Sequence, residues 1–157
     1  MSTFFLFYKK GTSLVELIAV IVIMGIIAGI AIPTTIAVIN RQRNNAAVRT
    51  ADNMFDAAKE VLMEAVAGSA ITGTVAYDTT GFAITVEQMV TNGDLEKNPI
   101  QGTNSTTVAF AISSANKFYI GTITSGSFAA AQTTMQLNNK SVVGTNGTDG
   151  GITFALA

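Results

Sequence analysis

Between Leu17 and Asn40 the chain carries 24 consecutive residues without a charge, densest over LIAVIVIMGIIAGIAI at residues 17–32. A helix rising about 1.5 Å per residue needs about 20 apolar residues to cross a hydrocarbon core of about 30 Å. The run meets that length, so one N-terminal segment is expected to sit in a membrane or an equally apolar setting. It also accounts for the mean hydropathy of +0.43 and for a charged share of 12 %, roughly half the usual quarter. After Arg41 the chain is of ordinary polarity, rich in Thr, Ser, Asn and Gly. The expected plan is one membrane segment and one external soluble part.

Flanking charges do not orient the segment. Lys9 and Lys10 precede it, and Arg41, Arg43 and Arg49 follow it, so the positive-inside count is nearly balanced. A cleaved secretory signal would use the two lysines as its basic start and Gly29-Ile30-Ala31 as its small-residue cut site; an uncleaved anchor would keep the whole span. The run is longer than the roughly 7–15 apolar residues of a secretory signal. Glu16 stands at its very start. A carboxylate costs about 2.5–3.5 kcal/mol at the bilayer centre and less near the interface, so a partner is expected to compensate it. Cleavage after Gly11 would create one, a free amino terminus on Thr12, with Glu16 fifth in the mature chain.

Lys10-Gly11-Thr12-Ser13-Leu14-Val15-Glu16, followed by the apolar run, resembles the class III signal peptide of type IV pilins and type II secretion pseudopilins. The pattern shared is a basic residue and Gly, the cut, a few small or apolar residues, Glu, then about twenty apolar positions. Pro33 falls where such proteins commonly carry a helix-bending proline. The resemblance covers residues 9 to about 67 and implies a leader over residues 1–11, cleaved after Gly11. It implies a membrane and filament-core segment over 12–40 and a globular head over 41–157. Thr12 would be N-methylated, although the family usually has Phe there, and the leader (Phe4, Phe5, Leu6, Phe7, Tyr8) is greasier than the family's short polar ones. Glu16, Gly25, Gly29 and Pro33 would serve assembly. Implied partners are further copies of the chain, a prepilin peptidase and N-methyltransferase, an assembly platform protein with its ATPase, and the cell membrane. The implied function is that of a structural subunit of a pilus or pilus-like filament. The alternatives are a pseudopilin of secretion or of competence DNA uptake and, from another class, a membrane-anchored binding domain that does not polymerise.

The helical pattern continues past the apolar run. Ala47, Ala51, Met54, Ala58, Val61 and Ala65 step by alternate fours and threes, Val48, Phe55 and Leu62 widen the stripe, and Asp52, Asp56, Glu60 and Glu64 lie opposite. One helix from about Ser13 to Ala67 is expected, loosened near Pro33 and stopped by Gly68-Ser69. Gly25 and Gly29 form a GxxxG, which lets helices approach closely in an apolar medium. Residues 68–83 read as a Gly/Thr-rich surface loop. Thr85 to Gly93 reads as a short capped helix. Alternating residues around 107–112, 118–123 and 135–137 read as strands, and Val142-Val143 or Ile152–Leu156 as another. The fold class expected is α+β, with the helix stripe packed on a small antiparallel sheet of three to five strands.

Little else in the chain carries chemistry. It has no His and no Cys, which removes thiol nucleophiles, Ser-His-Asp triads, disulfides and the usual zinc sites. No enzymatic activity, metal or cofactor is expected. Asn146, Asp149 and neighbouring glycines are a poor set for Ca²⁺, which takes about 6–8 oxygens. Asn104, Asn139 and Asn146 each open an N-x-S/T triplet of a kind that arises by chance in so Ser/Thr/Asn-rich a chain. With a net charge of −1, DNA as a partner has no support, and Arg41, Arg43 and Arg49 read as solvated or lipid-facing.

Overall fold

A computed structural model describes Gly11 and residues 13–157. Helix α1 (Leu14–Val66) runs one residue inside each expected end. Pro33 lies within it without ending it. At its C-terminus Gly68 takes φ +100° and the Ser69 N–H donates to the Glu64 carbonyl, the left-handed stop that a glycine supplies. The chain divides into two compact units, Met1–Arg41 and Gln42–Ala157. In the first, every described residue is solvent-exposed, including Leu17, Ile21, Met24, Ile27 and Ile30.

In the second unit the remainder of α1 buries the side chains its spacing selected: Ala47, Ala51, Met54, Ala58, Val61, Leu62 and Ala65. The other elements of this unit are β1 (Val75–Tyr77), β2 (Gly81–Thr85), helix α2 (Val86–Asn92), β3 (Ile100–Gln101), β4 (Val108–Ile112), β5 (Phe118–Thr124), β6 (Ser127–Ala130), β7 (Thr133–Leu137), β8 (Lys140–Asn146) and β9 (Ile152–Leu156). Helix α2 is capped as expected. The Thr85 hydroxyl accepts from the Gln88 N–H at 3.1 Å, and Gly93 closes it at φ +93°.

The strands form two antiparallel sheets where one was expected, a five-stranded sheet in the order β1-β2-β4-β5-β6 and a four-stranded sheet in the order β3-β7-β8-β9. Residues 68–83 are correspondingly not all loop, since they hold β1 and the start of β2. Ser125-Gly126 folds β6 back on β5 with both residues at positive φ (53° and 79°), and Asn138-Asn139 joins β7 to β8 with φ of 51° and 60°. These two-residue turns match the twist of a hairpin. β8 and β9 both form, so the last two candidate strands pair with each other.

Alternation along β4 faces Val108, Phe110 and Ile112 toward the main core with α1, α2 and both sheets, and Ala109 and Ala111 toward a second, smaller core. The five-stranded sheet curls until its edge strands β1 and β6 lie side by side. Tyr77 packs edge-on against Phe128 at 4.8 Å and against Tyr119 at 5.9 Å. Those rings fill the concave face, which leaves room only for alanine at 83, 109 and 111.

Among the contacts that tie the layers together are those of Phe55 and Asn146. The Phe55 ring on α1 lies 5.7 Å from Phe110, 5.7 Å from Phe118 and 6.2 Å from Phe154, touching both sheets. Lys59 covers its outer side at 4.5 Å and pairs with Asp56 at 2.6 Å. The Asn146 amide at the end of β8 accepts from the Ile120 N–H at 2.6 Å and donates to the Ile120 carbonyl at 2.9 Å. One side chain thereby stands in for a strand partner and clasps the four-stranded sheet to β5.

Candidate functional site

The candidate site is the start of α1. The Leu17 N–H donates to the Ser13 carbonyl at 3.1 Å, the first bond of the helix. The Ser13 hydroxyl accepts from the Val15 N–H at 3.3 Å, and the Glu16 carboxylate accepts from the Ser13 N–H at 3.0 Å. This is a capping box, in which an N-cap Ser and an acid three residues later satisfy two otherwise orphaned N–H groups reciprocally. The carboxylate also lies at the positive end of the helix dipole. Glu16 therefore has a local use within one chain that its position in the apolar run did not suggest. The Ser-x-x-Glu spacing was the signal for it. A carboxylate has about four acceptor sites, so the bond to Ser13 leaves capacity for a cationic partner.

Gly11 is exposed, with no neighbour within 4 Å of where a Cβ would stand. Residues 1–10 and Thr12 lie outside the described residues, and with them the expected leader and the expected cleavage and methylation position. Gly25 and Gly29 stand one turn apart on the helix surface, each open on its Cβ side. Pro33 has no N–H for the Gly29 carbonyl, four residues before it. The hydroxyls that follow turn inward: Thr34 donates to the Ala31 carbonyl at 2.9 Å and Thr35 to the same carbonyl at 2.8 Å. That internal bonding suits an apolar medium, where an unpaired hydroxyl is costly. Within α1, an 18-residue window reaches a mean hydropathy of 2.8 with none of it buried, long and apolar enough to cross a membrane.

The remaining polar groups serve structure. Asp78 accepts from the Ser114 hydroxyl at 2.7 Å and from Thr79 at 3.1 Å, which links two turns and holds its carboxyl below the usual range. Asp94 is pushed the other way, first by partial burial and then by the nearby Glu64 and Glu60 charges. Asn98 donates to the Glu87 carboxylate at 2.9 Å and to the Ser105 carbonyl at 2.7 Å, pinning the segment after α2. Asn146 is used by the clasp, and Asn104 donates to the Thr134 carbonyl at 3.3 Å. Among the described residues no group of three acidic side chains is placed to hold a metal ion.

No family model matches the chain, and neither a curated protein nor a solved structure matches it.

Proposed function

We propose that the chain is a prepilin-type structural subunit: held in the membrane by its apolar helix, cut between Gly11 and Thr12, and polymerised through that helix into a pilus or pilus-like filament. The observation that carries this reading is the exposed apolar stretch of α1. It begins directly behind Gly11 and Glu16, while the same helix buries its later stripe on antiparallel sheets. A surface so apolar is stable in lipid or against other copies of itself, not in water. Gly25 and Gly29 allow such copies to approach closely. Glu16, already bonded to Ser13, would also take the Thr12 ammonium of a neighbouring subunit, because an unpaired charge in a dry helical core is very costly. Thr12 would carry the N-methyl group. A prepilin peptidase and N-methyltransferase, an assembly platform protein and an ATPase are the partners the resemblance implies, and pseudopilins of secretion or DNA uptake share every one of these features.

Mass spectrometry of the mature N-terminus tests the reading. A chain beginning at Thr12 is expected; one beginning at Ile32 marks a secretory signal, and one beginning at Met1 or Ser2 an uncleaved anchor. Gly11→Val, which enlarges the residue beside the cut, is expected to block maturation while leaving insertion intact. Equal maturation of mutant and wild type refutes the assignment.

A further inference from the structure

The helix residues that follow the apolar run carry a set of hydrogen-bond donors that the fold leaves unused. Gln42, Asn45, Ala46 and Arg49 line a shallow groove in the second unit. Their i, i+3, i+4, i+7 spacing places them on one helix face, opposite the stripe that begins at Ala47 and Ala51. Gln42, Arg43, Asn45 and Arg49 are all exposed. No carboxylate lines the groove, and among the described residues the one ion pair is Lys59–Asp56, further along the helix. Asp52, three residues past Arg49, does not pair with it. Two amides and the Arg49 guanidinium give this face its donors, and Arg43, about 100° further round the helix, adds a second guanidinium beside it. The complement of this cationic collar is an oxyanion, and arginine's planar fork suits phosphate in particular.

The sequence supplies the source of that phosphate. The uncharged run ends at Asn40, two residues before Gln42, and side chains on a helix lean toward its N-terminus, here toward the end of that run. The headgroup layer outside a hydrocarbon core is about 5–7 Å deep, about four residues of helix at about 1.5 Å each. Gln42 and Arg43 fall within that depth, Asn45 stands at its outer edge, and Arg49, about 14 Å past Asn40, extends back toward it by its length and lean. We propose that Gln42, Arg43, Asn45 and Arg49 bind the phosphates of anionic lipid headgroups around the helix, and so fix how deeply the chain sits in the membrane. The proposal rests on membrane residence of the apolar run, and not on cleavage or polymerisation.

The test uses the full chain in nanodiscs holding phosphatidylglycerol and phosphatidylcholine in equal amounts, with the lipids retained on release identified by native mass spectrometry. A basic residue at a bilayer surface changes anionic-lipid affinity by about fivefold. Wild type is expected to retain phosphatidylglycerol in preference, and Arg43→Gln/Arg49→Gln to reduce that preference by roughly twentyfold. Arg43→Lys/Arg49→Lys, which restores charge, is expected to recover most of it. Added inorganic phosphate is expected to leave the bound lipid in place. Equal retention by wild type and the Gln variant overturns the proposal, as does displacement by inorganic phosphate, which would mark a site for the free ion. A chain that fails to enter the nanodisc at all refutes membrane residence as well. Entry without lipid preference refutes this inference alone.

Discussion

Removing the Asn146 clasp is expected to loosen the join between the two sheets, and its size follows from the geometry. Asn146→Ala deletes two hydrogen bonds, 2.6 Å and 2.9 Å long, to the backbone of Ile120. The Ile120 carbonyl keeps the Ala131 N–H at 3.2 Å, so its lost bond is worth about 1 kcal/mol net, whereas the Ile120 N–H is left without a partner, which costs about 1–3 kcal/mol. Ile120 has no exposed surface, whereas Asn146 is half-buried, so water reaches the vacated site and relieves part of the loss. The expected destabilisation is about 1–3 kcal/mol, or a fall in Tm of about 4–12 °C for a domain of this size. The fragment spanning residues 42–157, which forms a compact unit, is suited to urea unfolding followed by circular dichroism. The dependence on urea is expected to keep its slope while the midpoint drops. Asn146→Asp keeps the acceptor for the Ile120 N–H but sets a negative oxygen against the Ile120 carbonyl, so its defect is expected to ease on acidification. Thr148→Ala disrupts the N-x-T triplet without touching the clasp and is expected to be neutral. If Asn146→Ala lies within about 0.5 kcal/mol of wild type, the clasp does not hold the sheets and this account of the fold is wrong.

Glu16→Gln retains a carbonyl oxygen for the Ser13 N–H and loses only charge, whereas Glu16→Ala also loses that bond, worth about 1 kcal/mol, while the Ser13 hydroxyl keeps the Val15 N–H. As sole copies, both are expected to yield few filaments by electron microscopy, and normal filament numbers with Glu16→Gln would reduce Glu16 to a cap. Phe55→Ala is expected to cost the 42–157 fragment about 3 kcal/mol in urea, because it empties a site shared by three other rings; a loss below about 1 kcal/mol refutes that shared packing. The folded chain holds the Asp94 proton more tightly than the unfolded chain. The resulting stability is complete below the unfolded pKa and lost as pH rises through the higher, folded one. Asp94→Asn is therefore expected to be more stable than wild type at neutral pH, by about 0.3 kcal/mol given its exposure to screening water, and to show no gain in strong acid.

Legibility in the sequence followed the range of the interactions. The stripe from Ala47 to Ala65 and the Thr85 and Gly93 caps depend on neighbours within a turn or two, and each stood where its spacing placed it. The hairpin at Ser125-Gly126 lay in a Ser/Gly/Ala-rich stretch with little apolar alternation, and β1 has only three residues, so neither gave a period to read. The join between the two sheets uses Asn146 meeting Ile120 across 26 positions, a match that local pattern does not encode. At the candidate site the apolar length, Glu16 and the glycines were evident at once. The Ser13–Glu16 cap was also written there, as a four-residue spacing that the neighbouring hydrophobicity overshadowed.

The alanine-rich stripe of α1 has a mechanical consequence. From Ala47 to Ala65 the buried contacts are spread over about 27 Å of helix. A pull applied at Gln42 along the helix axis loads those contacts in shear, all together, whereas a sideways pull would peel them turn by turn. Small side chains bring the helix backbone close to its support, which shortens the lever arm between pulling force and resisting surface. The second unit is thus built to bear axial tension through α1 and to yield first to a force across it.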